Sequence, residues 1–179
     1  MSKIKIGLAG YGYWPRVAYV PALTRDGRAE VVAAAAATSR TRERIRQDLG
    51  ERVRLFADYE EMLDFAQFDA ALIAVPDQFH EAAIMAAIKA GRPFLYEPPV
   101  ANRIDRVPHV LNALLSASQI THADIELRFL PVVKYVAGMV ARGDVGAPRI
   151  ATVTAHGNWP PAPEIHLCLV HSIAPWYLD

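Results

Sequence analysis

Short apolar runs alternate along the chain with segments in which apolar residues recur at helical spacing. The apolar runs are bounded by Gly, Pro and polar residues, which is typical of buried strands, and the segments between them favour amphipathic helices. Strands that alternate with helices predict an α/β fold with a parallel sheet. The predicted strands cover residues 4–9, 31–37, 53–56, 69–75, 93–96 and 120–125.

Helix signals occupy the intervals between the predicted strands. Asp58 precedes Glu61 by three residues, the spacing of a capping box, and Gly91 directly follows a strong helical pattern. Pro108 is compatible with a helix only near its first turn. Together with the strands, these signals predict a doubly wound nucleotide-binding sheet. The predicted helices cover residues 16–23, 41–49, 59–66, 80–90 and 103–117.

The last part of the chain does not continue this alternation. A helix is predicted over residues 132–142 and a single strand over residues 148–156, followed by a proline-rich loop and an apolar segment. One strand cannot form a sheet by itself. We therefore expect a Rossmann-type domain over residues 1–120 and the start of a second, truncated α+β domain over residues 121–179.

Charge and cysteine content exclude several classes of function. The 19 basic and 19 acidic side chains give a net charge of zero, so neither nucleic acid nor an anionic membrane is expected as a partner. The single cysteine excludes an intrachain disulfide, and no Cys/His pattern has zinc spacing. The sequence also lacks an uncharged run of about 18 residues and a long apolar signal core. We expect a cytoplasmic protein without a metal site.

A glycine-containing loop, Gly10-Tyr-Gly12-Tyr13-Trp14-Pro15, lies between the first predicted strand and the first predicted helix. This context is that of a dinucleotide-binding loop, in which Gly10 permits a tight turn and Gly12 lets a pyrophosphate approach the backbone. Tyr13 and Trp14 complete the predicted cofactor-binding loop. Pro15 replaces the third glycine of the pattern, and proline is tolerated at the first helical position. The alternative is an ordinary strand–helix turn with structural glycines.

The end of the second predicted strand indicates which dinucleotide is bound. NAD sites usually place an acidic side chain there to bind the ribose 2′-hydroxyl. This chain instead has Ser39 and Arg40, and a hydroxyl with a guanidinium suits a 2′-phosphate. The sequence therefore predicts NADP, with NAD as the less favoured cofactor. Arg42 and Arg44 follow closely and are also compatible with a solvated helix face.

Four stretches of the sequence carry a family resemblance: IGLAGYGYWPRVAYVPAL, ATSR, YEEML…FDAALIAVPDQFHEAAIMAAIKAGRPFLYEPPVA and ELRFLPVVKYVAGMVARGDVGAPRIATV. In unbroken order over residues 4–153, they resemble the glucose-fructose oxidoreductase / inositol dehydrogenase / MocA family. The resemblance implies hydride transfer between a nicotinamide cofactor and a sugar, inositol or related polyol. It also implies a second domain whose open sheet forms the contact of a homo-oligomer.

The resemblance places two further segments at the cofactor. Pro76 and His80 match the family's loop beside the nicotinamide and ribose, where Asp77 replaces the usual asparagine. Glu97 matches the glutamate of the family's Glu-Lys-Pro element. Pro98 replaces its lysine, a residue that orients the substrate and assists proton transfer in the family. The resemblance therefore implies a cofactor site with an altered proton-transfer group.

The substrate side is expected to involve three residues of the second domain. Arg128 matches an arginine that enters this domain in the family, and Trp159 is expected beside it at the substrate. His171 resembles the family's catalytic histidine and is the predicted catalytic residue. The aspartates that accompany this histidine in the family are replaced by Leu167 and Ala174.

Two functions are compatible with these residues. The first is an NADP-dependent oxidoreductase that acts on a sugar-like or polyol substrate. The second is a non-catalytic dinucleotide-binding regulator or partner subunit, because Pro98 removes the lysine while the glycine loop is retained. A truncated piece of a longer enzyme is a third interpretation. Tyr96, next to Glu97, is either a proton donor or a core aromatic residue.

Overall fold

The structure, a computed structural model, describes residues 2–65 and 67–150. This part of the chain forms two compact units, of which the first extends to Asp124 and the second begins at Ile125. Trp159, His171 and most of the strand predicted over residues 148–156 lie outside the described residues.

The first unit is a six-stranded sheet in which every neighbouring pair of strands is parallel. Its strand order is β3-β2-β1-β4-β5-β6, so the order reverses between β1 and β4. This is the arrangement of doubly wound dinucleotide-binding sheets and confirms the predicted fold class. The strands are β1 Ile4–Ala9, β2 Ala29–Ala35, β3 Arg54–Phe56, β4 Ala70–Ile73, β5 Phe94–Tyr96 and β6 Thr121–Ala123.

Helices cover both faces of this sheet. One apolar layer includes Met62, Ile84 and Val110, and the other includes Leu8 and Ile45. Burial of both faces explains why β2 is almost entirely apolar, as expected for a central parallel strand. The helices of this unit are α1 Val20–Asp26, α2 Ser39–Leu49, α3 Tyr59–Asp64, α4 His80–Ala90 and α5 Val107–Ser116.

Capping side chains set helix boundaries that the apolar pattern did not give. Helix α2 begins two residues earlier than predicted, because Thr38 Oγ1 accepts a hydrogen bond from the Thr41 N–H at 3.1 Å. Asp58 caps α3 as expected, but its carboxylate accepts from the Glu60 N–H at 2.6 Å. The C-cap at Gly91 is confirmed by its left-handed φ of 70°.

The helix predicted over residues 16–23 consists of two parts. A π-helical turn, Pro15–Tyr19, leads directly into α1, and the N–H of Val20 donates to the carbonyl oxygen of Pro15. Trp14 already has helical dihedral angles, so Pro15 lies in the first turn, where its missing N–H is tolerated. Similarly, Pro108 falls in the first turn of α5, which a 3₁₀ turn, Ile104–Arg106, precedes.

The second unit is described as far as residue 150. A 3₁₀ turn, Glu126–Phe129, is followed by α6, Pro131–Ala141, close to the predicted helix over residues 132–142. Residues 148–150, the described part of the predicted strand, are not in a strand. In the part of the chain that the structure describes, no helix combines the length and apolar character needed to cross a bilayer.

Candidate dinucleotide site

The crevice between the carboxyl ends of β1 and β4 is the point where the strand order reverses, and ligands of open α/β sheets bind at such points. Gly10 lies in this crevice, directly after β1, and has a left-handed φ of 92°. Its N–H donates a hydrogen bond to the Ala35 carbonyl oxygen at 2.9 Å. A Cβ on Gly10 would lie 2.2 Å from the carbonyl oxygen of Ala74. Only glycine therefore fits this turn.

Gly12 has a different reason to be glycine. A Cβ on Gly12 would meet no heavy atom of the described residues within 4 Å. The packing of the described chain therefore does not require glycine at this position. Open space over a backbone without a side chain is what a pyrophosphate needs for close approach. The loop thus fits the dinucleotide that its sequence pattern predicts.

The segment after Gly12 turns into the helix without interruption. Tyr13 is exposed, Trp14 is half-buried and Pro15 is buried. The start of a helix presents backbone N–H groups and the positive end of its dipole, which favour phosphate. Tyr13 and Trp14 therefore lie where the sequence places them, at the entry to the helix beside the glycine loop.

A polar contact ties the glycine loop to α2. The hydroxyl of Tyr11 donates to the Asp48 carboxylate at 3.1 Å, and Arg16 Nε lies 3.4 Å from the same oxygen. Burial, followed by the hydrogen bond to Asp48, raises the pKa of Tyr11 to about 12. The phenol thus remains a donor at neutral pH and holds the loop against the helix that follows β2.

The end of β2 leads into a shallow, basic cavity of about 500 Å³. Ser39 and Arg40 are the first residues of α2 and are exposed. Arg42 instead donates hydrogen bonds to the carbonyl oxygens of Ala36 and Ala37 at 2.6 and 2.9 Å. Its guanidinium therefore satisfies the backbone acceptors directly after β2. The cavity is lined by Ser39, Arg40, Arg42, Glu43, Arg46 and Leu55.

His80 is enclosed at the end of β4, where its exposed fraction is 2%. Its Nδ1 lies 2.7 Å from the Pro99 carbonyl oxygen and its Nε2 2.8 Å from that of Val75. A carbonyl oxygen only accepts, so the ring nitrogen that carries the proton in a given tautomer is the one that donates. Asp77 Oδ1, 4.0 Å from Nε2, supplies negative charge. His80 thus joins the segment directly after β4 to the loop after β5.

Glu97 lies directly after β5 and takes part in a cluster that the sequence did not predict. The phenolic oxygen of Tyr19 contacts Oε1 of Glu97 and lies 2.6 Å from Oδ2 of Asp124. Asp124 follows β6, and Tyr19 ends the π-helical turn. No sequence motif marks Tyr19 or Asp124, and Asp124 falls inside the strand predicted over residues 120–125, whereas in the structure β6 ends at Ala123.

The remaining candidates are distributed over the rest of the chain. Tyr96 is 8% exposed and packs at 5.9 Å from the ring of Phe94, so the structure supports its interpretation as a core residue. Arg128 lies in the 3₁₀ turn of the second unit. Trp159 and His171 lie outside the described residues. The first unit thus brings together the carboxyl-end loops that carry Gly10, Gly12, Tyr13, Trp14, Ser39, Arg40, Pro76, His80 and Glu97.

A Rossmann-fold dinucleotide-binding protein is defined by features found here: the doubly wound parallel sheet, the glycine loop after β1 and the empty space beside Gly12. The model of the family described as "Oxidoreductase family, NAD-binding Rossmann fold" matches residues 4–125. The chain therefore belongs to this oxidoreductase family, the glucose-fructose oxidoreductase / inositol dehydrogenase / MocA family that its sequence resembles.

Similar proteins include several inositol dehydrogenases. The inositol 2-dehydrogenase of Agrobacterium fabrum is 28% identical over 98% of the chain and 54% of its own length. Inositol 2-dehydrogenase 1 of Saccharopolyspora erythraea is 28% identical over 81% of the chain and 43% of its own length. The chain thus spans about half the length of the curated relatives it matches.

Solved structures agree with the fold. Scyllo-inositol dehydrogenase from Lactobacillus casei, with bound NAD(H) and scyllo-inositol, superposes with a TM-score of 0.73 at 25% identity. The match covers 81% of the chain and 43% of that protein. It supports the Rossmann architecture of the first unit.

Proposed function

We propose that the chain belongs to an NADP-dependent oxidoreductase that transfers a hydride between the nicotinamide and a sugar-like or polyol substrate. One arrangement carries the proposal: the open glycine loop and the basic start of α2 follow adjacent strands, β1 and β2, on the same edge of the sheet. A dinucleotide bound at the crevice would extend its adenosine ribose toward the end of β2.

The choice of NADP rests on Ser39 and Arg40. The exposed guanidinium of Arg40 and the Ser39 hydroxyl line the cavity after β2 and suit a phosphate dianion. Glu43 also lines this cavity, but its carboxylate lies 3.7 Å from Arg46, which offsets its negative charge. The basic side chains therefore outnumber the acidic one where a 2′-phosphate would bind.

The relatives support the substrate class. Curated relatives are inositol 2-dehydrogenases, and the Lactobacillus casei protein holds scyllo-inositol together with NAD(H). Cyclic polyols are therefore the first substrates to test. When bound, the nicotinamide accepts or donates the hydride, and the chain's own residues hold the dinucleotide, exclude water and exchange the hydroxyl proton.

Replacing Arg40 by alanine is expected to weaken NADPH binding about 10- to 100-fold, because one charge-assisted hydrogen bond to the 2′-phosphate is lost. NADH lacks this phosphate, so its Kd should change little. Titration of the quenching of protein fluorescence, or of cofactor fluorescence, measures both constants.

Arg44→Ala is the matched control for this experiment. Arg44 lies on the same helix and is exposed, but it does not line the cavity after β2. Its removal should leave the ratio of the two Kd values unchanged. Equal weakening by Arg40→Ala and Arg44→Ala would show a general effect of charge and would contradict a 2′-phosphate site at Arg40.

A non-catalytic dinucleotide-binding regulator or partner subunit is the second candidate. The observation that favours it is Pro98, which has no ionisable group at the family's lysine position. The two functions differ when NADP⁺ is mixed with myo-inositol, scyllo-inositol or a sugar. Formation of NADPH supports the oxidoreductase, whereas NADPH binding without turnover of any polyol supports the regulator. The catalytic role of His171, self-association and a cytoplasmic location stay predictions.

A further inference from the structure

Tyr11 lies between the two glycines of the loop, and its side chain anchors the loop in the protein. Its exposed fraction is 5%, and its ring belongs to the same apolar cluster as Ile45 of α2. Gly10 and Gly12 have no side chains with which to hold the loop. The middle of the loop is therefore attached to α2 through the Tyr11 side chain.

A single carboxylate of α2 holds the loop on both sides of Gly12. Asp48 lies in the last turn of α2, and its Oδ2 accepts a hydrogen bond from the Tyr11 hydroxyl at 3.1 Å. The same oxygen lies 3.4 Å from Nε of Arg16, in the π-helical turn that follows the loop. Because burial and the hydrogen bond to Asp48 raise the pKa of Tyr11 to about 12, the phenol keeps the proton that it donates. Asp48 therefore connects the residue before Gly12 and the turn after it to one point on α2.

Helix α2 thereby reaches two parts of the candidate site. Its first turn carries Ser39 and Arg40, which line the cavity after β2, and its last turn carries Asp48. The first N–H groups of a helix have no acceptor within it, and the conformation of the glycine loop decides where these phosphate donors point. A loop that is already held in place loses less conformational entropy on binding than a loop that must first be ordered. The contact at Asp48 therefore bears on affinity for the pyrophosphate.

We propose that Asp48 is a positioning residue of the dinucleotide site: through the Tyr11 hydroxyl it holds the glycine loop in the conformation that accepts the pyrophosphate. This role rests on the proposed function, and it differs from the role of Arg40. Arg40 distinguishes NADPH from NADH through the 2′-phosphate, whereas the pyrophosphate is common to both. Loss of the contact at Asp48 should therefore weaken both dinucleotides by the same factor and leave the ratio of their Kd values unchanged.

Fluorescence titration of the 179-residue chain and its variants tests this role. Tyr11→Phe and Asp48→Ala should each raise the Kd of NADPH and of NADH about 3- to 10-fold, the range that one lost hydrogen bond explains. The double variant should bind no more weakly than Asp48→Ala alone, because both changes remove the same contact. Asp48→Asn should recover most of the affinity, since its amide oxygen still accepts from the phenol. Additive losses in the double variant, or an Asp48→Asn variant as weak as Asp48→Ala, overturn the role.

Two controls separate positioning of the loop from a general loss of structure. Tyr59→Phe removes the hydroxyl of a half-buried tyrosine at the start of α3, outside the glycine loop, and should leave both Kd values unchanged. Adenosine 2′-monophosphate has the 2′-phosphate but no pyrophosphate, so its Kd should be the same in the wild type, Tyr11→Phe and Asp48→Ala. If this nucleotide were weakened as much as NADPH, the variants would act through the whole fold and the positioning role would be overturned.

Hydrogen–deuterium exchange without any ligand tests whether Asp48 holds the loop. The N–H of Gly10 is bonded to the Ala35 carbonyl oxygen, and we expect the peptide that covers residues 10–16 to exchange faster in Tyr11→Phe and Asp48→Ala than in the wild type. A peptide from α4 should exchange at the wild-type rate. Unchanged exchange at residues 10–16 overturns the inference whether or not a dinucleotide binds. If the wild type binds neither NADPH nor NADH, the proposed function fails and the positioning role with it, whereas exchange decides separately whether Asp48 orders the loop.

Discussion

Replacing Gly10 by alanine is expected to destabilise the chain by about 4 kcal/mol or more, at the upper end of the range for single substitutions. Two effects add. The φ of Gly10 is 92°, a conformation that an L-residue rarely adopts. The new Cβ would also lie 2.2 Å from the Ala74 carbonyl oxygen, a backbone atom directly after β4, the strand that adjoins β1. Relief of this overlap requires β1 and β4 to separate at the crevice.

Gly12→Ala provides the matched comparison. Its Cβ meets no described heavy atom within 4 Å, so the expected change in the free energy of unfolding is within about 0.5 kcal/mol. Its effect should fall on ligand affinity, because the methyl group would occupy the space next to the bound pyrophosphate. Urea denaturation of both variants and NADPH titration of Gly12→Ala measure these effects. Similar stability losses in the two variants would contradict the different reasons assigned to the two glycines.

Replacing His80 by alanine is expected to lower the free energy of unfolding by about 3 kcal/mol. At least one of the carbonyl oxygens of Val75 and Pro99 would lose its hydrogen-bond donor, and a buried unsatisfied group costs about 1–3 kcal/mol, less where water enters. The space left by a ring that is only 2% exposed adds a cavity. Loss of this connection also frees the loop that carries Glu97 from the loop after β4, so NADPH affinity should fall.

His109→Ala is the control for this effect. His109 is exposed on α5, and its removal should change stability by no more than about 0.5 kcal/mol. Thermal and urea denaturation of both variants distinguish the two sites. If His80→Ala were as stable as His109→Ala, the two loops would not depend on the imidazole, and the candidate site would have to be held by other contacts.

Pro98 follows Glu97 directly and has no ionisable group. The polar side chains that meet at the carboxyl end of β5 come from other positions: the Tyr19 phenol contacts Glu97 and lies 2.6 Å from Oδ2 of Asp124. The proximity of these three side chains depends on how separate elements of the fold pack.

Local patterns in the sequence were sufficient for the architecture. Apolar runs bounded by breakers predicted all six strands of the first unit, because strands buried on both faces need continuous apolar sequence. Gly10 and Gly91 were assigned roles that their left-handed φ values confirm, since glycine alone enters this region at little cost. The loops at the carboxyl edge followed from the strand order, because parallel strands end on one side of the sheet.

Contacts between distant residues were decided by the tertiary structure alone. Tyr19 lies 78 residues from Glu97 and 105 residues from Asp124 along the chain, and no local pattern links residues at such separations. The two partners of His80 are backbone carbonyl oxygens, which leave no trace in residue type. The sequence determined which elements form and which loops share an edge, because these depend on neighbours in the chain. The packing of helices on the sheet determined which side chains meet there, because that depends on how separate elements approach in space.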